Sequence, residues 1–165
     1  IEVLMCNKQT VDLVKHYEGC HLQAYICPTG HPTIGYGFTR NVKMGDEWTH
    51  AQAEESLVEE LTITGRYIRE NLKDAKIEPN HCQVGAFVSL AYNIGFTGWL
   101  NSTARKRFID GDIAGAGQAI LMWNKGTIDG KKVVLKGLQR RRLSELELFN
   151  CLNAQLDQEC PACGV

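Results

Sequence analysis

The chain has 165 residues, enough for one domain with a substantial buried core. Hydrophobic residues make up 44% and charged residues 22%, an ordinary composition for a globular protein. The net charge of −1 gives no general attraction to nucleic acid or anionic membranes, so neither is a predicted partner. No apolar run approaches the roughly 18 residues that cross a bilayer, and no stable membrane span is predicted. The chain begins at Ile1, which leaves a removed N-terminal signal or anchor open.

The cysteine content favours an oxidising compartment, so a secreted or periplasmic protein is predicted. The seven cysteines are Cys6, Cys20, Cys27, Cys82, Cys151, Cys160 and Cys163. Because the number is odd, at least one thiol is free or joined to another molecule. Cys160-Pro-Ala-Cys163 fits half a zinc site or a redox pair, but no second such pair exists. A bridge within the pair, or to Cys82 or Cys151, is therefore favoured, and no metal or cofactor is predicted.

The first predicted helix runs from about Thr10, its N-cap, to Glu18. Val11, Val14 and Glu18 share one helical face, so the acid is expected on or beside the face that packs inward. Partial burial raises the pKa of a carboxyl group, as a proton donor near neutral pH requires. The alternative is a surface glutamate at a helix end.

Residues 22 to 48 contain many turn residues and predict a small antiparallel sheet. Gly19 follows the acid, and Pro28, Gly30 and Pro32 interrupt two short apolar–polar alternations. A helix, a glycine break and a hairpin bring a helix-terminal carboxylate over the face of such a sheet.

A long amphipathic helix is predicted from about 49 to 73, opened by a capping box at Thr49 and Gln52. Its apolar stripe consists of Leu57, Leu61, Tyr67, Ile68 and Leu72. At 1.5 Å per residue the helix spans roughly 36 Å, enough to connect two lobes.

Helices also dominate the second half of the sequence. Asn80 caps a helix that is apolar nearly all round and ends at Gly95, which places it at the centre of a helical lobe. The following predicted elements are short helices over 102–109 and 112–123, a loop or hairpin over 125–137, and a last helix from about Leu138.

These elements predict a mainly helical α+β fold in one domain of residues 1–165. An N-terminal lobe of about 10–50 carries the sheet, and the helix of about 49–73 connects it to a helical lobe of about 79–153. Residues 154–165 form a cysteine-containing tail, and a cleft is expected between the lobes.

One spacing in the N-terminal lobe resembles a known catalytic signature. Glu18, eight residues, Cys27, five residues and Thr33, followed by Ile-Gly-Tyr-Gly, is similar to the pattern of the phage-type lysozymes, glycoside hydrolase family 24. That family has Glu, eight residues, Asp or Cys, five residues and Thr, and this chain resembles the cysteine subgroup. Other landmarks follow in the family's order over roughly residues 10 to 150: Ala91-Tyr92-Asn93-Ile94-Gly95, Asn101-Ser102-Thr103, Trp123, Gly137-Leu138, Arg140-Arg141-Arg142 and Glu145.

The resemblance implies a lysozyme-like two-lobed fold and a muramidase that needs no cofactor. Its substrate would be the β-1,4 bond between N-acetylmuramic acid and N-acetylglucosamine in bacterial peptidoglycan. Glu18 would be the general acid, with Cys27 and Thr33 completing the site. In the usual member an Asp at the second position is the base or electrostatic group, Thr helps to place the water, and the reaction inverts the anomeric centre.

The cysteine leaves that second role open between base, nucleophile and charge stabiliser, and the stereochemical outcome with it. A thiol serves only as its thiolate, so the pKa of Cys27 must lie below the usual value of about 8.5. The imidazoles of His21 and His31 are candidates to lower it by adding positive charge.

Further candidate site residues come from the helical half. Five of them, Tyr92, Asn93, Asn101, Ser102 and Trp123, are candidates for lining the sugar-binding cleft, against the alternative of packing residues or helix caps. One arginine is expected to pair with Glu18 across the cleft. Its position favours Arg141, whereas Arg140 and Arg142 are predicted on a solvated basic helix face.

Two other functions stay open at this point. One is a non-catalytic peptidoglycan-binding module, with Cys27 in a structural disulfide, for example to Cys20; the other is a chitinase-like hydrolase. In some cysteine-bearing relatives exported by a signal anchor, the catalytic thiol is held in a disulfide until a cysteine nearer the N-terminus exchanges with it. By that resemblance Cys6, Cys20 and Cys27 could form such a set. A monomer is predicted.

Overall fold

A computed structural model of the protein describes residues 8–151. Cys6 and the predicted tail of residues 154–165, with Cys160 and Cys163, lie outside the described residues. No helix between residues 8 and 151 is both long enough and apolar enough to span a bilayer.

The described chain is mainly helical with two small antiparallel sheets, which confirms the predicted α+β class. In chain order the elements are α1 (Lys8–Glu18), β1 (His21–Ile26), β2 (Pro32–Gly35), α2 (His50–Asn71), α3 (His81–Ile94), α4 (Phe96–Leu100), α5 (Thr103–Ile109), α6 (Ile113–Ile120), β3 (Lys125–Ile128), β4 (Lys131–Val134) and α7 (Lys136–Phe149).

Strands β1 and β2 form the first hairpin, with Tyr25 opposite Thr33 and Ile26 opposite Pro32. Gly35 has a φ of 64°, and a Cβ added there would lie 2.9 Å from the Trp48 ring. Only glycine adopts this φ without strain and leaves room for the Trp48 ring. The indole therefore packs directly against the backbone of the segment that carries Thr33.

Helix α2 begins with the predicted capping box, in which Thr49 and Gln52 exchange side-chain and backbone hydrogen bonds. Four of the five predicted stripe residues are buried: Leu57, Leu61, Ile68 and Leu72. Tyr67 was wrongly included, since it is 57% exposed. It lies about 100° around the helix from Ile68. Its ring packs against the Phe96 ring, with a distance of 5.7 Å between the ring centroids.

Helix α3 is the centre of the helical half, as predicted. It also opens with a capping box, Asn80 with Gln83, and every residue from Cys82 to Ala91 is buried. The Phe87 ring packs against the rings of three residues, Trp99, Phe108 and Phe149, with centroid distances of 5.5, 5.6 and 5.4 Å.

Some predicted boundaries shift. Thr10 lies within α1 rather than at its cap, and it is buried where α1 crosses α3. A Cβ added at Gly85 would fall 2.2 Å from the Thr10 hydroxyl oxygen, so the missing side chain lets the two helices approach. Helix α6 ends at Ile120, short of Trp123, and α7 begins two residues before Leu138.

The predicted hairpin of residues 125–137 is present as β3 and β4. Asp129 and Gly130 connect the strands with φ angles of 50° and 76°. Two left-handed residues in a two-residue loop give the turn that matches strand twist, and Asp-Gly is a preferred pair for it.

A disulfide joins Cys82, at the start of α3, to Cys151, just after α7. Both sulfurs are therefore occupied, so the predicted alternative of a bridge from the tail pair to Cys82 or Cys151 is wrong. The other alternative, a bridge between Cys160 and Cys163, lies outside the described residues. The bond closes a loop with a sequence separation of 69 residues.

We expect loss of this disulfide, in the Cys82→Ala/Cys151→Ala variant, to lower the free energy of unfolding by about 2–4 kcal/mol, because long loops gain much entropy in the unfolded chain. Urea denaturation with and without dithiothreitol measures it. Dithiothreitol should destabilise the wild type and leave the double variant unchanged. Cys20→Ala, which removes a free thiol, is the matched control, and wild-type stability that is insensitive to reductant would contradict the expectation.

Candidate active site

Glu18 is the last residue of α1, and Gly19 turns the chain away from the helix at a φ of 68°. Its carboxylate is 22% exposed and accepts a hydrogen bond of 2.5 Å from Arg141 Nη1. The Arg141 side chain is 3% exposed. The Glu18 carboxylate is thus partly buried, and its Oε1 accepts a hydrogen bond from the buried Arg141 side chain.

Arg141 is itself held by the helical core. Its Nε donates to Glu145 Oε1 at 3.2 Å, and its Nη2 donates to the carbonyl oxygen of Ser89 at 3.2 Å. Glu145 is fully buried, and this burial raises the pKa of its carboxyl group. The Ser89 hydroxyl donates to the same Glu145 oxygen at 2.7 Å.

Arg142 does not lie on a solvated basic face, contrary to the prediction. It is fully buried, and its Nε lies 2.8 Å from Glu145 Oε2. Its Nη2 donates to Asn93 Oδ1 at 2.9 Å. Of the three consecutive arginines only Arg140 is exposed, whereas Arg141 and Arg142 both contact the Glu145 carboxylate.

The Glu18 side chain borders a cavity of about 270 Å³. The other lining residues are Gly37, Phe38, Thr39, Arg40, Glu60 and Tyr92. A Cβ added at Gly37 would lie 3.8 Å from Glu18 Oε2 and 3.9 Å from the Tyr92 hydroxyl, so this glycine keeps the space beside the acid open. Oε2 is the carboxylate oxygen on this side.

Tyr92 and an ion pair complete the walls of the cavity. The Tyr92 hydroxyl donates to the Tyr36 carbonyl at 2.6 Å. Burial, followed by the charges of Glu18 and Glu60, raises the pKa of Tyr92, so the phenol stays neutral. Arg40 Nη2 lies 2.6 Å from Glu60 Oε1, tying the loop after β2 to α2.

Cys27 follows β1 and begins the turn of the first hairpin. Its N–H donates to the His31 carbonyl at 3.0 Å, and its Sγ lies 2.9 Å from Thr29 Oγ1. The hydroxyls of Thr29 and Thr33 and the backbone of His31 lower the pKa of Cys27 to about 6. This lowered pKa favours the thiolate form of the side chain at neutral pH. Hydrogen bonds, rather than the imidazole charges expected from the sequence, are the largest causes.

Thr33 is 3% exposed and lies in β2 beside this thiol. The single proton of its hydroxyl is donated either to the His31 carbonyl, at 3.0 Å, or to the Cys27 sulfur, and both acceptors belong to the same turn. The structure therefore groups Cys27 with Thr33, and Glu18 with Tyr92 and Arg141. Within residues 8–151, neither Cys27 nor Thr33 lines the Glu18 cavity.

Cys20 and Cys27 are both free thiols, so the alternative of a disulfide between them is not formed. Cys20 instead lies in hydrogen-bonding contact with the Tyr36 side chain, and the contact raises the pKa of that tyrosine after the larger effect of burial. Between residues 8 and 151, His, Cys, Asp and Glu side chains form no group of three or more that could hold a metal ion.

The remaining predicted cleft residues lie elsewhere. Asn101, Ser102 and Trp123 line a second cavity of about 390 Å³. Ser102 is the N-cap of α5, because its hydroxyl accepts a hydrogen bond of 3.2 Å from the Arg105 N–H; the hydroxyl itself donates to the Trp99 carbonyl at 2.6 Å. Asn93 is engaged by Arg142.

The sequence did not single out several residues that the structure places at these sites: Thr29 at the thiol, Arg40 and Glu60 at the Glu18 cavity, and Lys125 and Lys132 at the second cavity. Thr29 carried a local signal, because a hydroxyl two residues after a cysteine in a Pro-Thr-Gly turn is within reach of the sulfur. The others depend on tertiary contacts.

Comparison with known proteins identifies the family of the chain. The family model for phage lysozyme matches residues 15–145. An endolysin of Acyrthosiphon pisum secondary endosymbiont phage 1 is 38% identical over 137 residues, 83% of this chain and 92% of that protein. A SAR-endolysin of Pseudomonas phage phiKMV is 39% identical over 130 residues, 79% of each chain.

Solved structures share the fold at similar identity. An endolysin from Escherichia coli O157:H7 phage FAHEc1 superposes with a TM-score of 0.73 at 35% identity, covering 87% of this chain and 91% of that one. The muramidase domain of SpmX from Asticaccaulis excentricus gives a TM-score of 0.78 at 32% identity, covering 88% and 97%. With the family model spanning most of its length, the chain belongs to the phage lysozyme family and is a lysozyme-type glycoside hydrolase.

Proposed function

We propose that the protein is a muramidase that hydrolyses the β-1,4 bond between N-acetylmuramic acid and N-acetylglucosamine in peptidoglycan, with Glu18 as the general acid. The observation that carries this proposal is the placement of Glu18. Arg141 fixes Oε1, while Oε2 borders the cavity that Gly37 keeps open. An acid with one oxygen anchored and the other open can deliver a proton to a leaving oxygen in a defined direction.

Cys27 is proposed as the second functional group, in the form of its thiolate. A negative charge beside the sugar stabilises an oxocarbenium-like transition state, and a thiolate can also act as a base toward water. Both roles need the thiolate to persist at neutral pH, and hydrogen bonds from the hairpin turn support it. Thr33 is buried beside the sulfur, so its proposed role is to hold Cys27 rather than to contact substrate.

The proposed setting is extracytoplasmic, because peptidoglycan lies outside the cytoplasm. The SAR-endolysin relatives and the disulfide of the helical half support a secreted or periplasmic protein. The proposal treats the protein as a monomer that uses no cofactor. Tyr92 is retained as a substrate-contacting residue, since it shares the cavity with Glu18.

Glu18→Gln should lower the rate of cell-wall clearing by at least about 100-fold, because the amide keeps the shape and cannot donate the proton. Turbidity of purified sacculi measures the rate, with Glu55→Gln, an exposed acid of α2, as the matched control. Wild-type protein that binds sacculi without clearing them would instead favour a non-catalytic binding module. Faster cleavage of chitin oligomers than of sacculi would favour a chitinase-like hydrolase.

The ionisation of Cys27 can be observed directly. Alkylation of the Cys27 peptide by iodoacetamide, followed by mass spectrometry, should rise with pH around a midpoint of about 6. Thr29→Val should raise this midpoint by about 1 pH unit because a hydrogen bond to the thiolate is lost, whereas Thr29→Ser should keep it. A midpoint above 8 in the wild type would show that the thiol is protonated at neutral pH.

Substitutions of Cys27 that keep or remove its negative charge distinguish the possible mechanisms. If Cys27 acts as a base or charge stabiliser, Cys27→Asp should keep a substantial part of kcat, while Cys27→Ser should lose about 100-fold or more because the hydroxyl stays neutral. Activity of the wild type should also fall as pH drops below about 6, when the thiolate is protonated. Activity in Cys27→Ser equal to that of the wild type would exclude the thiolate from the mechanism.

A further inference from the structure

The second cavity differs from the Glu18 cavity in the charge of its walls. It is lined by Asn101, Ser102, Thr103, Met122, Trp123, Lys125 and Lys132, with two lysines and no acidic residue. The Glu18 cavity has two carboxylates and one arginine. An anionic group is therefore favoured in the second cavity and disfavoured in the first.

The β3–β4 hairpin holds the two lysines on one face. Lys125 is opposite Val134, and Lys132 is opposite Thr127, so the two lysines are diagonal neighbours. Side chains in such positions are separated by about 7–8 Å at the backbone, close enough for both ammonium groups to reach one ligand. Within residues 8–151, neither lysine forms an ion pair with a carboxylate.

The hairpin is fixed relative to the rest of the cavity. The Leu135 N–H donates to the Asn124 carbonyl at 2.9 Å, closing the base of the hairpin. A Cβ added at Gly126 would fall 2.4 Å from Leu135 Cδ1, so the leucine packs directly on the β3 backbone. The lysines are thus presented by a braced element that leads directly into α7.

Apolar and neutral polar groups complete the cavity. Trp123 is 36% exposed and Met122 is 60% exposed, which leaves a surface on which a sugar or peptide can pack. The Asn101 side chain donates from Nδ2 to the Thr97 carbonyl at 3.0 Å, which leaves its Oδ1 as an acceptor. A ligand with carboxylates, amide N–H groups and some apolar surface matches these walls.

We propose that this cavity binds the carboxylates of the peptide stems that peptidoglycan carries on its muramic acid residues, with Lys125 and Lys132 as the cationic contacts. The inference rests on the proposed function and extends it to substrate choice. The glycan backbone of intact peptidoglycan is uncharged, whereas each stem is a peptide with free carboxylates. The enzyme would thereby prefer stem-bearing wall to bare glycan.

The test compares Lys125→Gln/Lys132→Gln with Lys131→Gln/Lys136→Gln. The second pair removes the same charge from exposed lysines outside the cavity lining. The substrates are sacculi free of teichoic acid, and the same sacculi after carbodiimide coupling with excess methylamine, which converts stem carboxylates to neutral amides. Initial rates of reducing-end release give kcat and KM, and thermal unfolding verifies that both variants are folded.

On untreated sacculi we expect the cavity variant to raise KM by about 3- to 10-fold with kcat nearly unchanged, since exposed charge contacts contribute modestly to binding. On methylamidated sacculi the wild type and the cavity variant should have equal KM values, and the control pair should match the wild type on both. The proposal would be overturned if KM rose equally in the control pair, if it rose equally on both substrates, or if it did not rise at all.

Binding separates this proposal from the proposed function. Co-sedimentation with sacculi is repeated with Glu18→Gln as the common background, so cleavage is not needed. If the cavity variant binds untreated sacculi more weakly in that background, the site stands even when the wild type cleaves nothing. If binding is unaltered while the wild type cleaves sacculi, the function stands and the site proposal fails.

Discussion

The buried guanidinium of Arg141 joins three helices of the described fold at the proposed catalytic acid. It donates to Glu18 at the end of α1, to the Ser89 backbone in α3 and to Glu145 one turn further along α7. It also lies 5.7 Å from the centre of the Tyr17 ring. A buried charge is tolerated only when its partners are in place, and a planar guanidinium reaches several of them at once. The direction of the Glu18 carboxylate is therefore set by the packing of three helices.

The first hairpin has a comparable support. Trp48 packs onto Gly35, and the N–H of Trp48 donates to the Leu22 carbonyl at 2.8 Å, so the segment before α2 braces both strands. These contacts lie at the base of the hairpin, where His21 is opposite Gly35, whereas the turn around Cys27 is held by its own hydrogen bonds. The thiolate depends on hydroxyls and backbone groups at set positions, and such preorganised dipoles stabilise charge without rearrangement. The two proposed functional groups are thus held by separate frameworks, a helical core for the acid and a small sheet for the sulfur.

Features that depend on local chemistry could be predicted from the sequence. Both capping boxes, the Asp129-Gly130 turn and the burial of α3 follow from short-range patterns, and all are present. Among the contacts between distant elements, the pairing of Arg141 with Glu18 was predicted and is present, but most others could not be predicted. Arg142 is buried because Glu145 and Asn93 meet it there, and Lys125 and Lys132 line a cavity because of strand register and the path of α6. The pairing of Cys82 with Cys151 likewise depends on two helix ends meeting across 69 positions.

The same difference between local patterns and tertiary contacts applies to the site residues. The spacing from Glu18 to Thr33 identified the candidates, but only the structure shows that Thr33 is buried and that Thr29 Oγ1 lies 2.9 Å from the sulfur. Of the five candidate cleft residues, Tyr92 lines the Glu18 cavity and Asn93 is paired with Arg142. The other three line the second cavity: Asn101, Ser102 and Trp123.

The hydrogen-bonded sulfur of Cys27 has one more consequence. A carboxylate in that position would be inert to peroxide, whereas a partly exposed thiolate is readily converted to sulfenic acid and then, irreversibly, to sulfinic acid. The turn that lowers the pKa of this thiol therefore also limits its lifetime where peroxide is present. A thiolate is also a soft ligand, so mercury and silver ions would bind Cys27 at concentrations at which they would not bind an aspartate in its place.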